Sequence, residues 1–173
     1  LTFWKEPYLG LYIPLTYTVW SVEAKSYSRL TGQASLDPRL FHATNVAVHI
    51  LATLAVFGIL LKVGNHPFAA SCGALLFALH PVHTEAVTYI SGRSSSLMTC
   101  FYLASLLAYD RGRVLDHRGW LWVASPLLFA AALLTKETAL TLPLALLLWE
   151  LFRPAGLAAR HSWWRAQWVH WSL

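Results

Sequence analysis

The chain has 173 residues, 57% of them hydrophobic and only 12% charged, about half the charged fraction of an ordinary soluble domain. Its net charge of +5 is not gathered into a basic stripe interleaved with aromatics, which excludes a nucleic-acid-binding reading. The two cysteines, Cys72 and Cys100, lie inside apolar blocks, which excludes a disulfide framework.

The apolar residues fall into blocks of Leu, Ala, Val and Phe separated by short clusters of Arg, His, Asp and Gly, the layout of membrane spans and loops. Residues 1–40 mix Tyr, Trp, Pro and Ser with scattered charges and a turn at Thr31-Gly32-Gln33, so they read as an ordered external loop region with short helices. The first residues carry no initiator Met, basic n-region or apolar h-region, and the stretch is expected to begin partway into a longer protein. Phe41 to Leu61 is almost uncharged and, at about 1.5 Å per residue, long enough to cross a hydrocarbon core of about 30 Å. Phe68 to Leu79 gives a shorter apolar block that His80-Pro81 interrupts. The helix there either continues with a proline kink or ends against a protein-lined cavity, because bare backbone at membrane depth needs such cover.

A span is expected over Ser94 to Tyr109, a charged loop over Asp110 to Arg118, and two blocks over Trp120 to Thr135 and Thr138 to Phe152, with Lys136-Glu137 between them. Lys and Arg are denser on one set of loops, at Lys62, Arg111, Arg113, Arg118, Arg153, Arg160 and Arg165, which places that set inside and the N-terminal region outside. The tail brings Trp164, Trp168 and Trp171 to helical spacing beside Arg160 and Arg165, as in an interfacial helix. The expected organisation is an all-α, polytopic transmembrane helical bundle: an external region over 1–40, about five apolar spans over 41–152, and a Trp-rich interfacial segment over 153–173.

The chemistry concentrates in a polar seam. On this topology His80, His83, Glu85, Arg93, Lys136 and Glu137 all fall at the outer ends of spans, and ionisable groups there are functional candidates because they are costly unless paired or facing a cavity. His80, His83 and Glu85 have the look of a short metal chelate, but Pro81 disturbs the spacing and no further ligand is evident, so no metal or other cofactor is assigned. The plainer reading is a polar turn in which Thr84 caps a short helix from Glu85 to Ile90. Arg93, just before Ser94-Ser95-Ser96, is placed to grip a phosphate at a helix N-terminus or else to snorkel to headgroups. His42, Asn45 and His49 share one helical face and read as interhelical hydrogen-bonding residues, with pigment ligation as the sharper alternative.

The segment His80-Pro-Val-His-Thr-Glu-Ala-Val87, followed by Ser91-Gly-Arg93 and an apolar span ending in Leu-Ala-Tyr109, resembles the transmembrane and tetratricopeptide-repeat O-mannosyltransferases and their bacterial relatives. Tyr12-Ile-Pro-Leu-Thr16, Phe41-His-Ala-Thr-Asn45 with His49, and Thr135-Lys-Glu137 with Thr141 match further segments of that family in the same order, over about residues 10–152. Ile13 stands where the family has Arg. The resemblance implies a GT-C-like membrane fold and an enzyme that moves a sugar, mannose in the eukaryotic members, from a polyprenyl-phosphate carrier to a protein hydroxyl at the extracytoplasmic face. It implies membrane lipids, the polyprenyl-phosphate sugar and an acceptor protein as partners, with His80, His83, Glu85, Arg93, Lys136 and Glu137 on the lipid-phosphate side of the site. The family's acidic catalytic pair is expected upstream of these residues; within them Glu85 is the one candidate base. The Ala, Leu and Arg bias favours a bacterial inner membrane, with the endoplasmic reticulum as the alternative. A second class, a non-catalytic subunit of a larger membrane complex contacting pigments or lipids, stays open beside the enzyme.

Overall fold

The computed structural model describes Trp4 and residues 13–32, 37–64, 66–152 and 170–172. Among these the chain is helical, with no strands. The expected interfacial helix over 153–173 lies outside the described residues except at its end, where His170 and Trp171 are helical.

Helix α1 (Pro14–Thr31) opens with proline at its first position, where the missing N–H costs nothing, and stops at Gly32, whose φ of 68° lets its N–H return to the Ser28 carbonyl. Among the described residues of the N-terminal region, α1 is a single helix of 18 residues. Helix α2 (Pro38–Gly64) is the one described helix long and apolar enough to cross a bilayer, and its outer face leaves Ile50, Leu51 and Leu54 exposed. Helix α3 (Pro67–Leu79) runs only 13 residues, about 20 Å. It ends at His80, whose backbone turns extended and whose Nδ1 accepts from the Val82 N–H at 3.2 Å.

The seam is therefore a break and not a kink. A 3₁₀ turn (Pro81–His83) leads into the five-residue helix α4 (Thr84–Thr88), and a second 3₁₀ turn (Ile90–Gly92) leads into α5 (Arg93–Leu115). Thr84 does not cap α4, because its hydroxyl donates backwards to the Pro81 carbonyl at 2.6 Å. Helix α5 runs six residues past the expected end at Tyr109. A π-helical turn (Trp120–Ala124) precedes α6 (Ser125–Leu133), and a 3₁₀ turn (Glu137–Thr141) precedes α7 (Leu142–Phe152).

Helix α5 is the central element, packed on α2 and on α6, while α3 packs on α2. The apolar core lies between α5, α6 and α7: Leu106, Tyr109, Leu121, Phe129, Leu142 and Leu146, with Ile59 of α2 against it. Two small hydroxyls bring α5 and α6 close, Ser105 Oγ donating to the Ser125 carbonyl at 2.8 Å and Ser125 Oγ to the Ser105 carbonyl at 3.0 Å. His170 Nε2 stands 2.9 Å from the same Ser125 hydroxyl.

Polar groups sort to the two ends of this bundle. At the end holding the C-terminus of α5, Asp110 pairs with Lys62 at 2.7 Å and accepts from the Trp149 indole at 3.1 Å, while Arg113 pairs with Glu150 at 2.8 Å. The seam, the start of α5 and the Lys136 break occupy the other end, which the α1 N-terminus joins through Leu15 N–H donating to the Leu134 carbonyl at 3.1 Å.

Candidate functional site

Arg93 is fully buried at the first position of α5 and organises this end. Its Nε donates to Asn45 Oδ1 at 2.6 Å, one terminal nitrogen to the Phe41 carbonyl at 2.6 Å, and the other to the Glu23 carboxylate of α1. The guanidinium carbon lies 5.5 Å from the Phe41 ring centroid. Asn45 completes the junction, because its amide donates to the carbonyls of Val87 and Tyr89 at 3.2 and 3.1 Å. Those two carbonyls sit where α4 ends, and without Asn45 they would lack an α-helical partner. One ion pair and one amide therefore tie α1, α2, α4 and α5 together.

Beside this junction lies a cavity of about 280 Å³ lined by His49, Phe77, His83, Glu85, Ser95 and Ser96, among others. That is near the lower end of the range for small-ligand clefts, about 300–1,000 Å³. Gly92 forms part of its wall because it packs on the backbone of Glu85 and Ala86: a Cβ there would collide with the Glu85 carbonyl oxygen and come within 2.9 Å of the Ala86 Cα. Ser96 Oγ donates to the Ala86 carbonyl at 2.9 Å and fastens α4 to α5.

His83 is half-buried, its ring centroid 4.4 Å from Phe77 and 5.4 Å from His49. Burial first, then the neighbouring His49 and His80 rings, hold its pKa below the ordinary imidazole value, so the ring is mainly neutral near pH 7. His49 is anchored from behind, with Nε2 3.1 Å from the Ala78 carbonyl. Glu85 is exposed in the first turn of α4 and lines the cavity, its carboxylate making no hydrogen bond or ion pair among the described residues. His80 is exposed, and its ring centroid is 6.2 Å from that of His83.

Lys136 comes from the break after α6. Its backbone N–H donates to the Ala132 carbonyl at 3.0 Å, and its Nζ donates to Ser95 Oγ, a cavity-lining hydroxyl, at 2.8 Å. Glu137, next along, is exposed and faces no partner among the described residues. The structure thus brings His83, Glu85 and, through Ser95, Lys136 to one cavity. Arg93 lies behind the cavity wall, and Glu137 lies outside it. Of the helical-face trio, Asn45 and His49 make interhelical bonds, and His42 is exposed.

Glu23 is the residue that motif reading misses. The available signal is scarcity: α1 contains a single acidic residue, and a buried arginine requires a carboxylate.

A helical chain that leaves large apolar side chains exposed along its helices and gathers polar groups at two ends, one of them holding a cavity beside an ion-paired junction, is the class that these features define. Mouse protein O-mannosyl-transferase TMTC1 is 38% identical over 151 residues, covering 77% of this chain and 16% of the relative. The protein O-mannosyl-transferase F38B6.6 of Caenorhabditis elegans is 40% identical over 111 residues, 61% of this chain and 15% of that one. Human protein O-mannosyl-transferase TMTC3 is 32% identical over 126 residues, 71% of this chain and 14% of that one. No protein-family model and no solved structure matches the chain. The chain belongs to the TMTC family of protein O-mannosyl-transferases and spans about one sixth of the length of these relatives.

Proposed function

We propose that the chain is membrane-embedded machinery of a protein O-mannosyltransferase that takes a sugar, mannose, from a polyprenyl-phosphate carrier and places it on a protein hydroxyl at the extracytoplasmic face. The observation that carries this reading is the identity of 38% to a protein O-mannosyl-transferase across 77% of the chain, a stretch that contains the seam. The cavity supports it, since it opens where α3 stops short and the polar groups of separate helices meet.

The membrane arrangement belongs to the same proposal. Helix α2 crosses the bilayer; α5, of 23 residues, is long enough at about 35 Å and has its charges confined to its ends. Helices α3, α6 and α7 complete a multi-pass bundle, being shorter than the core because they end at the cavity or at the Lys136 break. The relatives compared above are animal proteins, which favours the endoplasmic reticulum membrane over a bacterial inner membrane and makes the seam end lumenal.

In the reaction, a carboxylate upstream of these residues accepts the proton of the acceptor hydroxyl. The hydroxyl oxygen bonds to the anomeric carbon, the bond from that carbon to the phosphate oxygen breaks, and the lipid phosphate departs with the bonding electrons. The site end of this chain holds the donor: His83 and Glu85 line the headgroup cavity with His80 at its rim, Lys136 and Glu137 stand at the α6–α7 break, and Arg93 fixes the wall between them. Positioning and charge stabilisation are what these groups supply.

The test is transfer by the full-length protein in lipid nanodiscs, given radiolabelled polyprenyl-phosphate mannose and an acceptor protein. The expected result is label on Ser or Thr of the acceptor. Absence of transfer from the lipid-linked donor, or transfer from a nucleotide sugar alone, contradicts the proposal.

A further inference from the structure

Three of the described cations that are buried or partly buried have a carboxylate partner: Lys62 has Asp110, Arg93 has Glu23 and Arg113 has Glu150. Lys136 is the exception. It is half-buried, pairs with no carboxylate among the described residues, and donates to a neutral hydroxyl, Ser95 Oγ, at 2.8 Å. The remaining described cations, Lys25, Arg29, Arg39, Arg111 and Arg118, are exposed and solvated.

A partly desolvated ammonium without a counter-charge is costly, more so beside a low-dielectric membrane. The backbone nevertheless fixes Lys136 there: the Ala132 carbonyl of α6 accepts from the N–H groups of both Thr135 and Lys136, and Thr135 is fully buried. The Ser95 hydroxyl that it reaches lines the cavity, as do Gly92 and Ser96, so the N-terminus of the 23-residue helix α5 stands at the same wall. That terminus adds positive potential on the side where the ammonium lacks a partner. Arg93 offers none of this to a ligand, with all three guanidinium nitrogens spent on Asn45, Phe41 and Glu23.

We infer that Lys136, with Ser95, is the anion-holding pair of the cavity and takes the phosphate of a lipid-linked donor, while Arg93 is a positioning residue that never touches it. This deepens the transferase reading and rests on it for the identity of the lipid. Lysine suits the task, since a compact ammonium on a flexible stem can follow the phosphate as charge builds on its bridging oxygen. The Ser95 hydroxyl holds the ammonium in place and can turn to donate to the same anion.

The experiment measures binding of sugar-free polyprenyl phosphate to the full-length protein in nanodiscs, by displacement of a photoreactive polyprenyl-phosphate probe, together with thermal unfolding. Lys136→Gln is expected to weaken binding at least tenfold with melting unchanged, and Lys136→Arg to recover most of it. Arg93→Gln is expected to lower the melting temperature. Binding by Lys136→Gln within twofold of the unaltered protein overturns the assignment, as does loss of binding in step with melting. Competition separates the sources of phosphate: displacement by polyprenyl phosphate, where phosphatidate vesicles and inorganic phosphate at equal concentration fail, supports the donor. Equal displacement by phosphatidate overturns it in favour of an ordinary headgroup. Lys136-dependent binding by a protein that transfers no sugar removes the transferase reading and leaves the phosphate site standing.

Discussion

Asn45 carries more of the seam's geometry than any group with obvious chemistry. Its carbonyl oxygen orients Arg93, and its amide nitrogen holds the backbone carbonyls of Val87 and Tyr89. Truncation removes the donor to the Val87 carbonyl and one of two donors to the Tyr89 carbonyl, which also accepts from the Gly92 N–H at 3.1 Å, at about 1–3 kcal/mol in all. Asn45→Ala should therefore lower the melting temperature of the purified protein and loosen α4, with sugar transfer falling alongside; a variant with unchanged melting would show that the junction is not holding these elements. The sequence shows Asn45 as an interhelical residue, because an amide amid an apolar span has few other uses. It does not show its partners, since backbone carbonyls leave no mark in a residue pattern. Arg93 is legible as special and its direction is not: an arginine at a helix start suits a phosphate as well as a carboxylate, and Glu23 lies 70 residues away.

Among the elements, the breaks were easier to read than the lengths. His80-Pro81 and Lys136-Glu137 interrupt apolar runs, and helices α3 and α6 end beside them. Helix α5 outruns its expected end because Asp110 and Arg113, which look like loop charges, are neutralised inside the bundle by Lys62 and Glu150. Pairing across helices of that kind is invisible to a local count of charges. The length of α1 was hidden for a related reason, its weak apolar patterning being offset by tertiary bonds at Glu23 and Leu15. The turn between α4 and α5 depends on a residue without a side chain, since a Cβ on Gly92 would strike backbone and not a movable side chain. Gly92→Ala is expected to cost about 1–3 kcal/mol by overpacking and to reduce sugar transfer several-fold, because α4 carries Glu85 along the cavity. Melting curves and turnover of the full-length protein read both effects; wild-type values would contradict the close approach.

For the molecule as a whole, the sorting of polar groups to two ends is the property that links fold to function. One end is self-neutralised, with the Lys62–Asp110 and Arg113–Glu150 pairs closing it. The other contains a cavity, with a carboxylate at Glu85 and an ammonium at Lys136 that have no counter-charge among the described residues. The all-helical class was plain from composition and block structure. The convergence of His83, Glu85 and Lys136 on one cavity was legible only as far as topology put them at the same ends of spans; which of them line it depends on packing between α2, α4 and α5. The central claim, that the seam cavity receives the lipid-linked donor, is tested most directly by protection. A single cysteine is placed at Val82, an exposed residue lining the cavity, and a second protein carries its cysteine at His117, exposed beyond the far end of α5. Both full-length proteins lack other cysteines and are alkylated with a maleimide in nanodiscs, with and without polyprenyl-phosphate mannose. Slower labelling at Val82→Cys, with labelling at His117→Cys unchanged, is the predicted result; equal rates with and without donor at Val82→Cys would contradict it.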